Sequence, residues 1–174
     1  MKQRIERGVS IADALNYTRH IVGGLDAIHA HGIVHRDLKP GNIMFRADDS
    51  LALADFGIAR RLDQVSDLTN HGSVLGTPNY LSPEQALGQL VDERADYYSV
   101  GVIMYEMLAG RKPFRAESAA ALIYQHVHSD IPTLPAPVVY LQPLIDRLLA
   151  KQPAERIGTA SEFLTTLANI VGEA

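Results

Sequence analysis

The stretch "HGIVHRDLKPGNIMF", His31 to Phe45, places Arg36, Asp37, Lys39 and Asn42 within seven residues between two apolar runs. Its composition alone fits a solvated turn after a helix, so its neighbours decide the reading. The run "NIMF" is followed by "RADDS" and then by a second short apolar run, "LALA". Two such runs around a polar turn read as a small hairpin, with Asp48 and Asp49 in the turn. Pairing those strands would bring Asp37 and Asn42, just before the first, close to Asp55, just after the second.

Helical patterns lie on both sides of the hairpin. In "SIADALNYTRHIVGGLDAIHAHG", Ser10 can cap a helix with Asp13 at its third position, and Gly32 supplies a stop. Ile11, Leu15, Thr18, Val22, Leu25 and Ile28 follow helical spacing. Gly23 and Gly24 inside it cost about 1 kcal/mol each relative to Ala, which close packing would offset. From Asp55 to Glu84 the chain is rich in Gly, Ser, Thr, Asp and Asn. An irregular stretch of that length in a compact domain is uncommon, and usually functional or disordered. Arg94 to Ala109 is apolar on nearly every side, the pattern of a helix buried in the middle of a domain. Ala116 to His126 and Gln142 to Ala150 are amphipathic. The last helix, "TASEFLTTLANIV", opens with a capping box of Thr159 and Glu162 and buries Phe163, Leu164, Leu167 and Ile170. The expected fold class is mainly α with a small β-hairpin and one long loop.

Composition narrows the function. The chain has 174 residues, 47% apolar and 21% charged, which suits a globular protein of one domain. Its net charge of −4 disfavours nucleic acid as a partner. It has no Cys, so thiolate metal sites and disulfides are excluded. The longest apolar run, "VGVIMYEMLAG", contains Glu106 and is too short for a membrane span. The charged start, "MKQRIERGVS", lacks the apolar core of a secretory signal, and a cytoplasmic location is expected. His29 with His31, and His126 with His128, are spaced by two, which does not align them on one helix face. These four are expected at the surface and not on a metal.

The polar cluster suits one kind of chemistry. Mg²⁺ prefers one or two protein oxygens plus phosphate and water, and Asn42 and Asp55 can supply them. Asp37 is then free to accept a proton from a hydroxyl, and Lys39 to face the charge on a transferring phosphoryl group. Phosphoryl transfer of this kind is catalysed almost wholly by positioning and electrostatics.

These residues resemble a known family. "HRDLKPGN" (His35 to Asn42) is similar to the protein-kinase catalytic loop, and "DFG" (Asp55 to Gly57) to its metal-binding motif. "GTPNYLSPE" (Gly76 to Glu84) stands where the family has its substrate-facing loop and APE motif, with Ser82 in place of Ala. "DYYSVG" (Asp96 to Gly101) resembles the start of the central helix, whose Asp braces the catalytic loop. Arg156 stands where the family pairs an Arg with the APE Glu, here Glu84. Lys39, "DFGIARRL" and "GTPNYLSPEQ" look most like bacterial serine/threonine kinases of the eukaryotic-like type.

The resemblance implies roles for particular residues. ATP and Mg²⁺ (or Mn²⁺) would be required, and protein Ser and Thr hydroxyls would be the acceptors. Asp37, Lys39 and Thr77 would be catalytic, Asn42 and Asp55 metal ligands, and Met44 part of the floor under adenine. Arg36 would bind a regulatory phosphate, with Thr69 the favoured phosphosite over Ser66 and Ser73. His35 would pack structurally under Phe56. "MKQRIERG" resembles the helix just beyond the hinge, so residues 1–171 read as the large lobe of a kinase domain and 172–174 as a tail. The small β-rich lobe, with its Gly-rich loop and nucleotide-contacting Lys, has no counterpart in the sequence. The expectation is a lobe weakly active or inactive alone. Its upper face would expose Met44 and Phe56 to a missing lobe or a partner. Two rival readings stand beside it, a non-catalytic scaffold with a kinase shape and a small-molecule phosphotransferase.

Overall fold

The computed structural model describes residues 1–55 and 78–172. Its helices are α1 (Lys2–Arg7), α2 (Ile11–His29), α3 (Pro83–Ala86), α4 (Arg94–Ala109), α5 (Ala119–His128), α6 (Gln142–Leu149) and α7 (Ala160–Val171). Strands β1 (Ile43–Phe45) and β2 (Leu51–Leu53) form the antiparallel hairpin expected from "NIMF" and "LALA". Ile43 pairs with Leu53 and Phe45 with Leu51. Asp49 takes a left-handed φ of 59° in the turn, and the Asp48 carboxylate accepts from the Ser50 backbone and hydroxyl.

Helix α4 is the axis of the core, and every residue from Ala95 to Tyr105 is buried. This explains its all-round apolarity: α2 packs on one side and α6 on another. The approach of α6 is so close that a Cβ at Gly101 would stand 2.7 Å from the Leu148 Cβ. Only glycine fits there without a shift of backbone. Of the glycines in α2, Gly24 meets Leu53 of the hairpin, where a Cβ would lie 3.1 Å from a methyl carbon, whereas Gly23 has open space. Close packing therefore accounts for one of the pair and not for the other.

The caps refine several boundaries. Ser10 Oγ accepts from the Asp13 backbone as expected, and α2 stops at His29, ahead of the left-handed Gly32. Helix α5 starts later than the amphipathic pattern suggested, because Ser118 is its cap and accepts from the Ala121 backbone. Thr159 caps α7, but the Glu162 carboxylate reaches past it to the Gly158 backbone and pairs with Arg147, so the reciprocal box does not form. Leu164 is exposed and Ile170 only partly buried, since α7 covers a narrower stripe than its sequence offers. Within the expected irregular stretch, α3 forms at its end, capped by Ser82 with Gln85 in a full capping box.

Two histidines expected at the surface are enclosed. His29 hydrogen-bonds to Asp96 at 2.8 Å. His126 is 1% exposed, with its ring nitrogen Nδ1 2.9 Å from the Tyr98 hydroxyl. Burial, and then the nearby Lys151 ammonium, push the His126 pKa down from 6.5 to about 4. The folded state thus resists a proton that the unfolded chain accepts below about pH 6.5. Stability is expected to fall as pH drops from about 6.5 to about 4, by about 3 kcal/mol from this group. Urea unfolding across that range, compared with His126→Gln, checks it. An equal pH slope in the variant would contradict the assignment.

Candidate active site

Arg36 has a φ of 64°, a left-handed conformation uncommon for a residue with a side chain. Such a backbone persists only where its surroundings over-determine it. Here Asp96, buried at the start of α4, accepts from the Arg36 backbone through Oδ1 and from the His35 backbone through Oδ2, each at 2.8 Å. His29 Nε2 donates to the same Oδ2. On the far side of Arg36, Gln85 Nε2 donates to the Arg36 carbonyl at 2.7 Å. The peptide groups on either side of the strained residue are both engaged, and the loop is held from α2, α3 and α4 at once.

That frame presents the polar cluster. Lys39 Nζ donates to Asp37 Oδ2 at 2.7 Å. Asn42 Nδ2 donates to the Asp37 carbonyl at 2.9 Å and to its Oδ2 at 3.2 Å. Asp37 is partly exposed at the centre of these donors, and Asn42 is buried. Asn42 begins the hairpin, and its carbonyl accepts from the Ala54 backbone at 2.8 Å, which sets Asp55 one residue beyond that pairing. Asp55 is exposed and, like Arg36, has a positive φ, 54°. His35 is wholly buried and its Nε2 donates to the Ala54 carbonyl at 3.1 Å, a second tie between loop and hairpin. Met44 is 53% exposed on the open face of β1. Phe56, Thr69 and Thr77 lie outside the described residues.

The donor set fits a hard divalent cation. The Asn42 amide nitrogen is committed to Asp37, which leaves its Oδ1 as the ligating atom, and the carboxylate of Asp55, one residue past the hairpin pairing, is exposed. Among the described residues no three His, Cys, Asp or Glu side chains converge on one point. A cation here would therefore complete its shell from phosphate oxygens and water, as Mg²⁺ does.

The segment leading into α3 is anchored just as firmly. The Tyr80 hydroxyl donates to Glu106 Oε2 at 2.7 Å, and Ser99 donates to the Tyr80 carbonyl at 2.8 Å. Burial, then the bond to Glu106, lift the Tyr80 pKa well above the usual phenol range, so it remains a neutral donor. Glu84 and Arg156 form a bidentate pair, 2.7 Å at each contact, with both side chains almost wholly buried. Sequence reasoning missed His29, Tyr80, Gln85 and Glu106. Gln85 had a usable signal, since Ser82 precedes it by three in a capping-box spacing.

A helical lobe whose hairpin and strained loop gather a Lys and an Asn around the carboxylate of one Asp belongs to the protein-kinase class of folds. The protein kinase domain family matches residues 1–166, and the chain belongs to that family. It is 42% identical over 170 residues to a probable serine/threonine-protein kinase PknB of Bifidobacterium longum, covering 94% of this chain and 24% of the relative. It is 42% identical over 161 residues to the serine/threonine-protein kinase PknL of Mycobacterium tuberculosis, covering 90% of this chain and 40% of the relative. It is 43% identical over 152 residues to PknB of Mycolicibacterium smegmatis, covering 84% and 24%. The chain thus spans from 24% to 40% of the length of these relatives. None of the described helices is long and apolar enough to cross a membrane.

Proposed function

We propose that this chain carries the catalytic lobe of a serine/threonine protein kinase, moving the γ-phosphoryl group of ATP to Ser and Thr hydroxyls of proteins. The observation that carries this reading is the Asp37 carboxylate, held by Lys39 and Asn42 on a loop braced by Asp96. Asp37 takes the proton of the acceptor hydroxyl as the oxygen attacks phosphorus. Lys39, one bond from Asp37, balances the charge of the phosphoryl group in transit. Asn42 and Asp55 would hold Mg²⁺ or Mn²⁺, which when bound neutralises the phosphate oxygens and aligns them. Met44 contributes to the floor under adenine, and its exposure leaves it free to do so.

The remaining assignments follow the sequence motifs. Thr77 supports Asp37 and Lys39. Arg36 receives a phosphate on Thr69, a bidentate contact that would order the loop. His35, Phe56, Asp96, Glu84 and Arg156 are structural. The names of the relatives, serine/threonine-protein kinases, support the acceptor class.

The test is transfer from γ-labelled ATP with Mg²⁺ to a panel of Ser, Thr and Tyr peptides and an aminoglycoside. Label on Ser and Thr peptides is expected. Label confined to the aminoglycoside would make the chain a small-molecule phosphotransferase instead.

A further inference from the structure

Helix α4 ends at Ala109, and the chain turns back on itself at once. Gly110 takes a φ of 66°, and its N–H donates to the Glu106 carbonyl at 3.0 Å. That left-handed stop favours glycine, since a residue with a Cβ would be strained there. Pro113 then biases Lys112 to an extended backbone. The two cations of this turn fold back over aromatic rings. The Arg111 guanidinium lies 5.9 Å from the centre of the Tyr105 ring, and Lys112 Nζ lies 5.8 Å from the centre of the Tyr80 ring. Lys112 Nζ is also 3.5 Å from Glu106 Oε1.

Glu106 stands where a cation is needed. Its side chain is 14% exposed, and it lies in the last turn of α4, where the helix dipole disfavours an anion. No basic residue of α4 offsets it within that turn. Its other oxygen, Oε2, accepts from the Tyr80 hydroxyl at 2.7 Å. A carboxylate so enclosed needs a counter-ion to stay charged and in place. Lys112, 27% exposed, supplies it from a position that salt and water screen only in part. The contacts thus run without a gap from the turn to the segment that leads into α3, from Lys112 to Glu106 and from Glu106 to the Tyr80 hydroxyl. Ser99 donates to the Tyr80 carbonyl at 2.8 Å, so α4 sets both the side chain and the backbone of this residue.

We propose that Lys112 is a positioning residue for the acceptor polypeptide, acting through Glu106 on Tyr80. The proposal rests on the kinase reading for the identity of the acceptor, but not for the coupling of the three side chains. A phosphoacceptor laid along residues 79–82 meets a backbone whose course Tyr80 sets. Without the ammonium, the Glu106 carboxylate turns toward water or takes up a proton, and its hold on the Tyr80 hydroxyl weakens. The catalytic loop, held by Asp96, keeps its course.

Amide hydrogen exchange reads the coupling without any need for activity. In Lys112→Met, exchange of residues 79–82 is expected to rise about fivefold, the effect of weakening one charge-assisted hydrogen bond. Residues 37–42 should keep their wild-type rates, and Lys112→Arg, which keeps the charge, should restore most of the protection. The double variant Glu106→Gln with Lys112→Met should lie closer to wild type than Lys112→Met, because an amide accepts from Tyr80 with no charge to balance. An equal rise throughout the chain, none at 79–82, or a double variant no better protected than Lys112→Met would overturn the proposal. If Lys112→Met does not fold, Lys112→Gln decides by the same criterion. In the phosphoryl-transfer assay, KM for the acceptor peptide should rise about fivefold in Lys112→Met while KM for ATP and kcat hold. Equal changes in both KM values would also overturn it. Should wild type transfer nothing, the kinase reading fails, and the exchange data still decide the coupling.

Discussion

Arg156→Ala is expected to remove about 3–5 kcal/mol of folding stability, more than any surface substitution would. The guanidinium meets both Glu84 oxygens at 2.7 Å and donates to the carbonyls of Arg94, Ala150 and Lys151 at 3.3, 2.6 and 2.9 Å. It also lies over the Tyr98 ring, 4.9 Å from its centre. Truncation leaves the Glu84 carboxylate, 3% exposed, without its counter-ion in a low-dielectric interior. The cost comes mainly from that stranded charge and much less from the attraction itself. Glu84→Gln combined with Arg156→Met should therefore lose less than Arg156→Ala alone. Urea or guanidinium unfolding of the three proteins, with unchanged m-values, checks the order. A loss below about 1 kcal/mol for Arg156→Ala would show that the pair is not desolvated as described.

Asp96→Ala should rank close behind. The carboxylate, 1% exposed, accepts from the backbones of His35 and Arg36 and from the His29 ring. Its removal strands buried or half-buried donors at about 1–3 kcal/mol each, so a total loss of about 3–5 kcal/mol is expected. It also withdraws the support for the left-handed Arg36, whose conformation costs about 1–3 kcal/mol. Asp96→Asn keeps one acceptor and should lose roughly half as much. His29→Ala, which removes one of the donors with its ring, should cost less than either. Denaturant unfolding orders the series, and exchange at residues 35–37 shows whether the loop itself loosens. If Asp96→Ala unfolds no more easily than His29→Ala, the brace is not the source of the loop's rigidity.

Contacts of the kind Asp96 makes separate what was legible in the sequence from what was not. The hairpin and α4 were legible because each has a local pattern, two short apolar runs around a polar turn and an unbroken buried helix. Asn42 beside Asp37 followed from that hairpin and a fixed loop, since the contact spans five residues. His29 and His126 were not legible. The spacing-by-two argument against a shared helix face holds, yet it says nothing of burial. Each ring is enclosed by a residue of α4 far away in the chain, Asp96 for His29 and Tyr98 for His126. A periodicity argument carries no information about a contact 67 residues apart. The cap at Ser118 was readable and outranked the amphipathic pattern that placed α5 too early. Ser82 shows a departure from the family residue gaining a local use, because its hydroxyl completes the box with Gln85, whose amide then reaches Arg36.

The central claim is that Asp37, on its braced loop, is the base of a phosphoryl transfer. It is tested most directly by comparing wild type and Asp37→Asn for incorporation of label from γ-labelled ATP into a Ser/Thr peptide, with ATP·Mg²⁺ binding followed by calorimetry. The account predicts slow incorporation by wild type, a fall of about 10²–10⁴-fold in the variant, and nucleotide binding retained in both. Equal incorporation by the two proteins, or none by a wild type shown to be folded, would contradict it.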